Sequence, residues 1–595
     1  MPRLPPLPDL AIDALAPVSR TYGDVYFSGD GLAEKREVFL RGCGLPAAWK
    51  DRRQFTVAEL GFGSGLNLLA LWQAWRIHRP SPAAQLHVMS FEAQLMTADT
   101  AGRIHSAWPE LAGLSACLCA RWPDRAYGAQ RIVLGDGVRL TLFIGEAAAS
   151  LRQADGLADA WFLDGFAPSK NPDMWSQDVL AEVARLSAPE ARLASYTVAG
   201  QVRRTLTELG FQVEKVPGHG RKKERLEARR LPSAALPLPP PPPRPQRIAV
   251  IGAGVAGAWA ARACLDRGLE VDVYETADRP AAGASGNPLA LVMPRLDAAD
   301  SPQARALLAA WLMARRAWPA QAEAAVTRLD AHHRPRGDRE KERFSRLMSD
   351  PPLERSILSP ETDGLVHHGA LAIDPRRALP LLLEGAQLHV GCTIETPAQT
   401  QADLVIVCAG MGAVRFNAPP LEGRLGQVES RPDPGEGFAI ADGGYVVRAL
   451  GELVFGATFE AADGGEARIS EHARAHNRDV LARLRPDICA DGVSSRASIR
   501  ATTGDRLPFA GAAGASLDGA RRAGERGGPA CRMIGGLGSR GFLWAPLLAE
   551  LIISEALGEP LPLERQVAAC LNPQRFAQRA ARRGLSQAQS REAKG

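Results

Sequence analysis

The chain is 595 residues long, 46% hydrophobic and 23% charged, and its 71 Lys and Arg stand against 66 Asp and Glu for a net charge of +5. That composition excludes global disorder and a collagen-like repeat, and the length calls for several domains at roughly 100–200 residues each. Nine scattered cysteines without a C-x-x-C pair argue against a disulfide framework and a zinc cluster, so no metal is expected. No run reaches the roughly 18–20 apolar residues of a membrane helix, and MPRLPPLPDL has no apolar stretch after its arginine to read as a secretory signal. A cytoplasmic chain with reduced thiols, no membrane association and no obligate protein partner is the expectation.

On the N-terminal side FTVAEL (55–60), LHVMSF (86–91), LTLFIG (140–145), AWFLDGF (160–166) and RLASYT (192–197) read as strands, separated by helix-like stretches such as LNLLALWQAW (66–75). Strands alternating with helices predict a mostly parallel sheet. The first strand runs into Glu59-Leu-Gly61-Phe-Gly63-Ser-Gly65, whose glycines allow a tight turn and let a ligand lie against the backbone. An acid opening such a loop resembles the first motif of S-adenosylmethionine-dependent methyltransferases, which implies that Glu59 helps hold the methionine end. Glu92 ends the next strand, where doubly wound sheets bind ribose hydroxyls. Glu146 ends a third, which the resemblance places near the adenine. Three such acids suit a nucleoside with a cationic end, whereas a pyrophosphate would be repelled by Glu59. Asp164-Gly-Phe-Ala-Pro then resembles the motif that positions an amine for methylation, with Asp164 as its hydrogen-bond or proton acceptor; the other reading is an Asp capping its loop.

DGFAPSKNPDMW (164–175), with Tyr196-Thr-Val-Ala-Gly-Gln-Val-Arg-Arg204 and Gly218-His-Gly-Arg-Lys-Lys-Glu224, resembles the bifunctional tRNA 5-methylaminomethyl-2-thiouridine biosynthesis family. Residues 232–245, PSAALPLPPPPPRP, follow as a semi-rigid polyproline spacer, or as a ligand for another protein's groove. The expected organisation is a methyltransferase domain over 1–231, a linker over 232–245, an oxidoreductase domain over 246–570 and a basic tail over 571–595.

After the linker, RIAVI (247–251) leads into Gly252-Ala-Gly254-Val-Ala-Gly257, an Ala-rich helix, and VDVYE ending at Glu275. This is G-x-G-x-x-G between a strand and a helix, with an acid at the next strand end: a dinucleotide fold in which Glu275 holds a ribose. Ala282-Gly-Ala-Ser285-Gly-Asn287-Pro288 and Gly535-Gly536-Leu-Gly538-Ser-Arg540-Gly resemble the flavin-facing loops of the D-amino-acid-oxidase-like flavoproteins, which implies FAD and implicates Ser285, Asn287, Gly536, Gly538 and Arg540. LVIVCAGMG (404–412) reads as the strand closing that domain, and YVVRA with ELVFGATF as an antiparallel patch. Arg500 and Arg540 are candidates to hold a substrate carboxylate, or are surface or phosphate-contacting arginines. The stretch HHRPRGDREKERFSRL (332–347) is read as a solvated helical excursion rather than an RNA contact.

The fold class expected is therefore α/β: an N-terminal Rossmann-like methyltransferase sheet, then a FAD-binding Rossmann domain with an α+β substrate subdomain. The tRNA-modifying family joins these domains in this order. Membership implies that the flavin domain removes the carboxymethyl group from 5-carboxymethylaminomethyl-(2-thio)uridine at the wobble position, and that the N-terminal domain then methylates the exposed amine. A fused amine oxidase and methyltransferase for a small-molecule amine is the alternative. The charge bears on the choice: residues 218–230 carry a local +4 and residues 575–595 a local +5, leaving the remainder net −4. Arg221, Lys222 and Lys223 are accordingly expected to meet tRNA phosphates.

Overall fold

In a computed structural model of the chain the described residues are 3–13, 16–27, 29–220, 222–232, 244–462, 466–512 and 530–582. The expected linker (232–245) lies outside them except at its ends, as do Arg221 and residues 583–595 of the basic tail. The chain divides into two units, residues 1–241 with 558–565, and residues 242–557 with 566–595. Among the described residues no helix is long and apolar enough to cross a membrane.

The first unit is built on an eight-stranded sheet ordered Phe211–Pro217, Glu224–Arg230, Ser187–Ser195, Ala158–Leu163, Gln54–Leu60, Gln85–Glu92, Val138–Ile144 and Gly128–Gly135. Its five inner strands run parallel, and a hairpin closes each edge in antiparallel fashion. The inner strands are buried on both faces, which is why FTVAEL and LTLFI read as continuous apolar runs rather than alternating ones. Helix Leu66–His78 follows Gly65, which caps it at φ +77°. Leu, Ala, Gln and Trp fill it with no β-branched residue before Ile77, and Pro80 forces Arg79 into extended backbone and stops it. The chain leaves Gln54–Leu60 for Gln85–Glu92 on one side and Ala158–Leu163 lies on the other, so a crevice opens at their carboxyl ends.

The second unit holds two sheets. One has the order Gln387–Val390, Glu270–Glu275, Arg247–Ile251, Leu404–Val407, Ala530–Gly535 and Phe509–Ala512, parallel up to the last, antiparallel pair. The other is a ten-stranded mixed sheet that includes Gly364–Ile373, Val326–His333, Glu422–Pro432 and Ser494–Thr502, and in which Tyr445–Ala449 and Glu452–Gly456 pair antiparallel. This is the α/β Rossmann-like domain with an α+β companion.

A second domain running unbroken from 246 to 570 is not what forms. Gly558, at φ +66°, ends helix Gly541–Leu557, and residues 558–565 then join the first unit. There the buried Glu559 lies 3.5 Å from Nε2 of the buried His87, Arg131 donates to the Pro560 carbonyl at 2.5 Å, and the Leu561 amide donates to the Asp155 carbonyl. A Pro-bearing stretch without helical periodicity is free to follow such a groove, whereas a helix would not be.

Candidate active sites

In the first unit the loop Gly61–Gly65 turns at the carboxyl end of Gln54–Leu60. Gly61 has φ +88°, and a Cβ there would come 2.5 Å from the Asp164 carbonyl oxygen, so the loop and the Asp164 turn lie backbone against backbone. Glu92 accepts from the amides of Gly63 and Gln94, both at 2.9 Å, and thereby fixes the loop; burial nonetheless pushes its carboxyl above the usual range. Glu146 accepts from the amides of Ala148 and Ala149 at 2.9 and 2.8 Å. Its carboxylate caps the helix that follows, a role that an acid at a strand end fills independently of any ligand.

Asp164 meets two residues that the sequence did not single out. Its Oδ2 accepts from Lys35 Nζ at 2.6 Å and from Asn67 Nδ2 at 2.8 Å. Lys35 lies 129 positions earlier and carries no motif, while Asn67 sits one residue inside the helix after the glycine loop. An aromatic wall flanks the turn: Phe166 stacks on Tyr22 at 4.8 Å and meets Tyr26 edge-on at 5.1 Å, while the Tyr196 hydroxyl donates to the Gly165 carbonyl. Lys222 is exposed along its length, yet its ammonium lies 3.3 Å from the centre of the Tyr196 ring. Lys223 is exposed. Elsewhere in this basic stretch the charge is met internally, Arg225 by Glu227 and Arg229 by Glu190, while Arg575 and Arg579 at the chain's other basic end both hold Asp505.

Glu59 is 1% exposed, and burial pushes its carboxyl up to about 8. Its Oε1 and the Oδ1 of Asn67 are buried acceptors with no hydrogen-bond partner among the described residues. A methionine ammonium would satisfy both, so the residues present fit S-adenosylmethionine: Glu59 and Asn67 would hold its amino group and the glycine loop would lie beneath it, where it would supply an electrophilic methyl group. Because Glu59 must lose its proton while the amino group, which ordinarily titrates at about 7.7–8.0, keeps its own, donor affinity is expected to rise by up to about tenfold per pH unit from pH 6 to about 7, peak near 8 and fall above. Titration calorimetry at several pH values checks this, and Glu59→Gln should remove the rise along with most of the affinity.

In the second unit a cavity of about 960 Å³ is lined by Gly252, Gly254, Glu275, Ser285, Asn287, Arg500, Gly536, Gly538 and Arg540, bringing nearly all the sequence-derived residues together. Gly257 is not among them: a Cβ there would strike the Gly252 carbonyl oxygen at 1.8 Å, so its part is to let the helix approach the strand. Glu275 accepts from the amides of Ala253 and Ala277, and Ser285 Oγ accepts from the amide of Val255. A Cβ on Gly252 would meet the Cys408 carbonyl at 2.6 Å, so the glycine loop can turn against the end of strand Leu404–Val407 only without a side chain there. The residues present fit FAD: Glu275 would hold its ribose, and helix Gly541–Leu557 directs its N-terminus into the cavity from the Gly536–Arg540 loop.

The charged stretch 332–347 is helical from Asp338 on and mostly exposed, as a solvated excursion would be, but one face of it turns inward. Helix Asp338–Ser349 buries Phe344 and Leu347, and the spacing that aligns them also turns Glu340 and Arg343 inward, so that both line the cavity with His333 and Arg336. Seven arginines (Arg295, Arg336, Arg343, Arg415, Arg500, Arg506 and Arg540) face two carboxylates, Glu275 and Glu340, among its described lining residues. Burial, then Arg295, Arg343 and Arg506, push Arg540 down to about 10. Arg500 donates to the Thr458 carbonyl at 3.1 Å and is nearly buried. His333 lies 3.3 Å from His367, and burial pushes the two down to about 4 and about 3, so both are neutral near pH 7. His368, on the other face of its strand, pairs with Asp330.

Comparison with known proteins bears on both domains. Residues 109–230 match a family model described as S-adenosyl-L-methionine-dependent methyltransferase, and residues 247–555 one described as FAD dependent oxidoreductase. A tRNA 5-methylaminomethyl-2-thiouridine biosynthesis bifunctional protein MnmC of Maricaulis maris is 40% identical over 95% of each chain, and its namesake in Caulobacter vibrioides is 40% identical over 94% of this chain and 96% of that one. Among solved structures, iminodiacetate oxidase from Chelativorans covers 53% of this chain and 96% of its own at 19% identity and a TM-score of 0.43. With a glycine loop, strand-end acids and matched domains in the same order over nearly its whole length, the chain belongs to the family of the tRNA 5-methylaminomethyl-2-thiouridine biosynthesis bifunctional protein MnmC.

Proposed function

We propose that this chain performs two consecutive steps on the wobble uridine of tRNA, in the cytoplasm: oxidative removal of the carboxymethyl group from 5-carboxymethylaminomethyl-(2-thio)uridine, then N-methylation of the resulting 5-aminomethyl group. FAD held by the glycine loops and Glu275 would supply a hydride acceptor for the carboxymethyl carbon beside the substrate nitrogen. The nitrogen loses a proton, and water splits the resulting imine into a primary amine and an aldehyde acid. The observation that carries the reading is the arginine-rich cavity beside the dinucleotide cradle. A carboxymethylamine brings a carboxylate that needs cations, and Arg343 and Arg540 with Arg295 supply them. The neutral His333 nearby does not compete for that anion.

In the methyl-transfer site Asp164 holds the acceptor amine and the aromatic wall of Tyr22, Tyr26 and Phe166 excludes water from it. Incubation with undermodified tRNA is the test. Without S-adenosylmethionine the aminomethyl nucleoside should accumulate, with it the methylaminomethyl nucleoside, and an unaltered uridine would refute the reading in favour of a small-molecule amine. Lys222 and Lys223 border this site on the last hairpin. Replacing both with Gln should weaken tRNA binding several-fold and flatten the salt dependence by about two counterions. Filter binding at two salt concentrations reads this out, and unchanged affinity at low salt would speak against a phosphate contact.

A further inference from the structure

Methyl transfer to an amine requires a nitrogen with a free lone pair, and the donor is itself a cation; a buried lysine beside the acceptor therefore needs a reason. Lys35 is 3% exposed and begins the helical segment Lys35–Leu40, from which it places Nζ 2.6 Å from Asp164 Oδ2. Asn67 donates to the same oxygen. Asp164 Oδ1 has no hydrogen bond among the described residues. One carboxylate oxygen is thus saturated and the other left open.

The charged groups facing Lys35 come from several elements. Glu34 precedes it at 3.8 Å, Glu59 belongs to the central strand, Asp164 follows the fourth inner strand, and Lys222 approaches from the last hairpin. Asp24 and Tyr196 stand beside Lys222, and the Phe39 ring lies 5.2 Å from Lys35 Nζ. Burial opposes the charge on Lys35, but Asp164, Glu34 and Glu59 together outweigh it and hold the ammonium above the ordinary lysine range. Lys35 therefore keeps its positive charge beyond the ordinary lysine range.

A lone buried carboxylate would trap the acceptor as an ammonium ion, because an opposite charge in a poorly solvated site favours the charged form. We propose that Lys35 is a positioning residue that neutralises Asp164 through Oδ2, so that Oδ1 holds the acceptor amine as a neutral base instead of an ammonium ion. The inference rests on the methyl-transfer reading of this site. In the step it serves, the nitrogen lone pair forms the new N–C bond while the C–S bond of the donor breaks with its electron pair passing to sulfur, and the nitrogen then sheds one proton.

Single-turnover methylation of aminomethyl-bearing tRNA, followed from about pH 6 to 10 with full-length Lys35→Met, Lys35→Arg and Asp164→Asn proteins, tests this. In Lys35→Met the acid limb of the rate profile should move up by at least about one pH unit without a rise in KM, and Lys35→Arg should restore it. Asp164→Asn leaves the Lys35 charge unopposed, so the limb of its residual activity should move down. A uniform loss of rate in Lys35→Met with the limb unmoved, or a shift that arginine does not reverse, would overturn the proposal. Should Lys35→Met not fold, an unmoved or raised limb in Asp164→Asn overturns it instead. Wild-type protein that fails to methylate this tRNA would sink the underlying reading and not this refinement alone.

Discussion

Replacing Asp164 with Ala should lower methyl transfer about a thousandfold while leaving the flavin step intact, so that 5-aminomethyl nucleoside accumulates in tRNA treated with both cosubstrates. The magnitude follows from what is lost together: the acceptor that orients the amine and takes its proton, typically worth 10²- to 10⁴-fold, and the counter-charge for a buried lysine. Without Asp164 the Lys35 ammonium faces Glu59 across an emptied pocket, so donor binding should also change. Nucleoside analysis separates the two halves in one digest. Full methylation by the variant would refute the assignment of Asp164, and loss of the aminomethyl product as well would mean that the defect is not confined to the first unit.

The second large effect is expected from Arg343→Met. Arg343 reaches the cavity from helix Asp338–Ser349, held there by Glu340 at 2.5 Å and by the Leu296 carbonyl at 2.9 Å, and it does not belong to the glycine loops that cradle the dinucleotide. Flavin content should therefore survive, while the KM for the carboxymethylated substrate rises roughly 10- to 150-fold, the range for one charge-assisted hydrogen bond. Methylation of tRNA that already carries the free amine should be untouched. Visible flavin absorbance and steady-state oxidation check the two parts, and an unchanged KM would mean that the carboxylate is held elsewhere in the arginine cluster.

What could be read from the sequence was what is local. Each glycine loop, with the strand before it and the helix after it, is encoded within about thirty residues, and backbone constraint makes glycine close to obligatory at Gly61 and Gly252. The parallel sheets followed from apolar runs buried on both faces. Lys35 and Asn67 escaped because their meaning lies in a partner about a hundred residues away, and no periodicity marks it. The helix at 338–349 is solvated over most of its surface, as its charge implies, but overall charge does not show that Glu340 and Arg343 align with Phe344 and Leu347 on one inward face. Glu146 shows the limit of a position-based argument, since an acid at a strand end looks the same in sequence whether it meets a ligand or caps the next helix.

The excursion of residues 558–565 gives the chain an interlaced covalent topology. The polypeptide passes from the first unit to the second within the proline-rich run, returns at 557–558 and leaves again at 565–566. A single cleavage near residue 240 therefore removes one of three crossings and leaves only residues 558–565 of the first unit covalently joined to the second, so that the rest of the first unit keeps that piece through noncovalent contacts alone. A fragment ending there would also lack Glu559 and Pro560, exposing or stranding His87 and Arg131, which are buried polar groups in the intact protein. The boundary that composition draws most sharply is thus only the first of three places where the chain passes between the units.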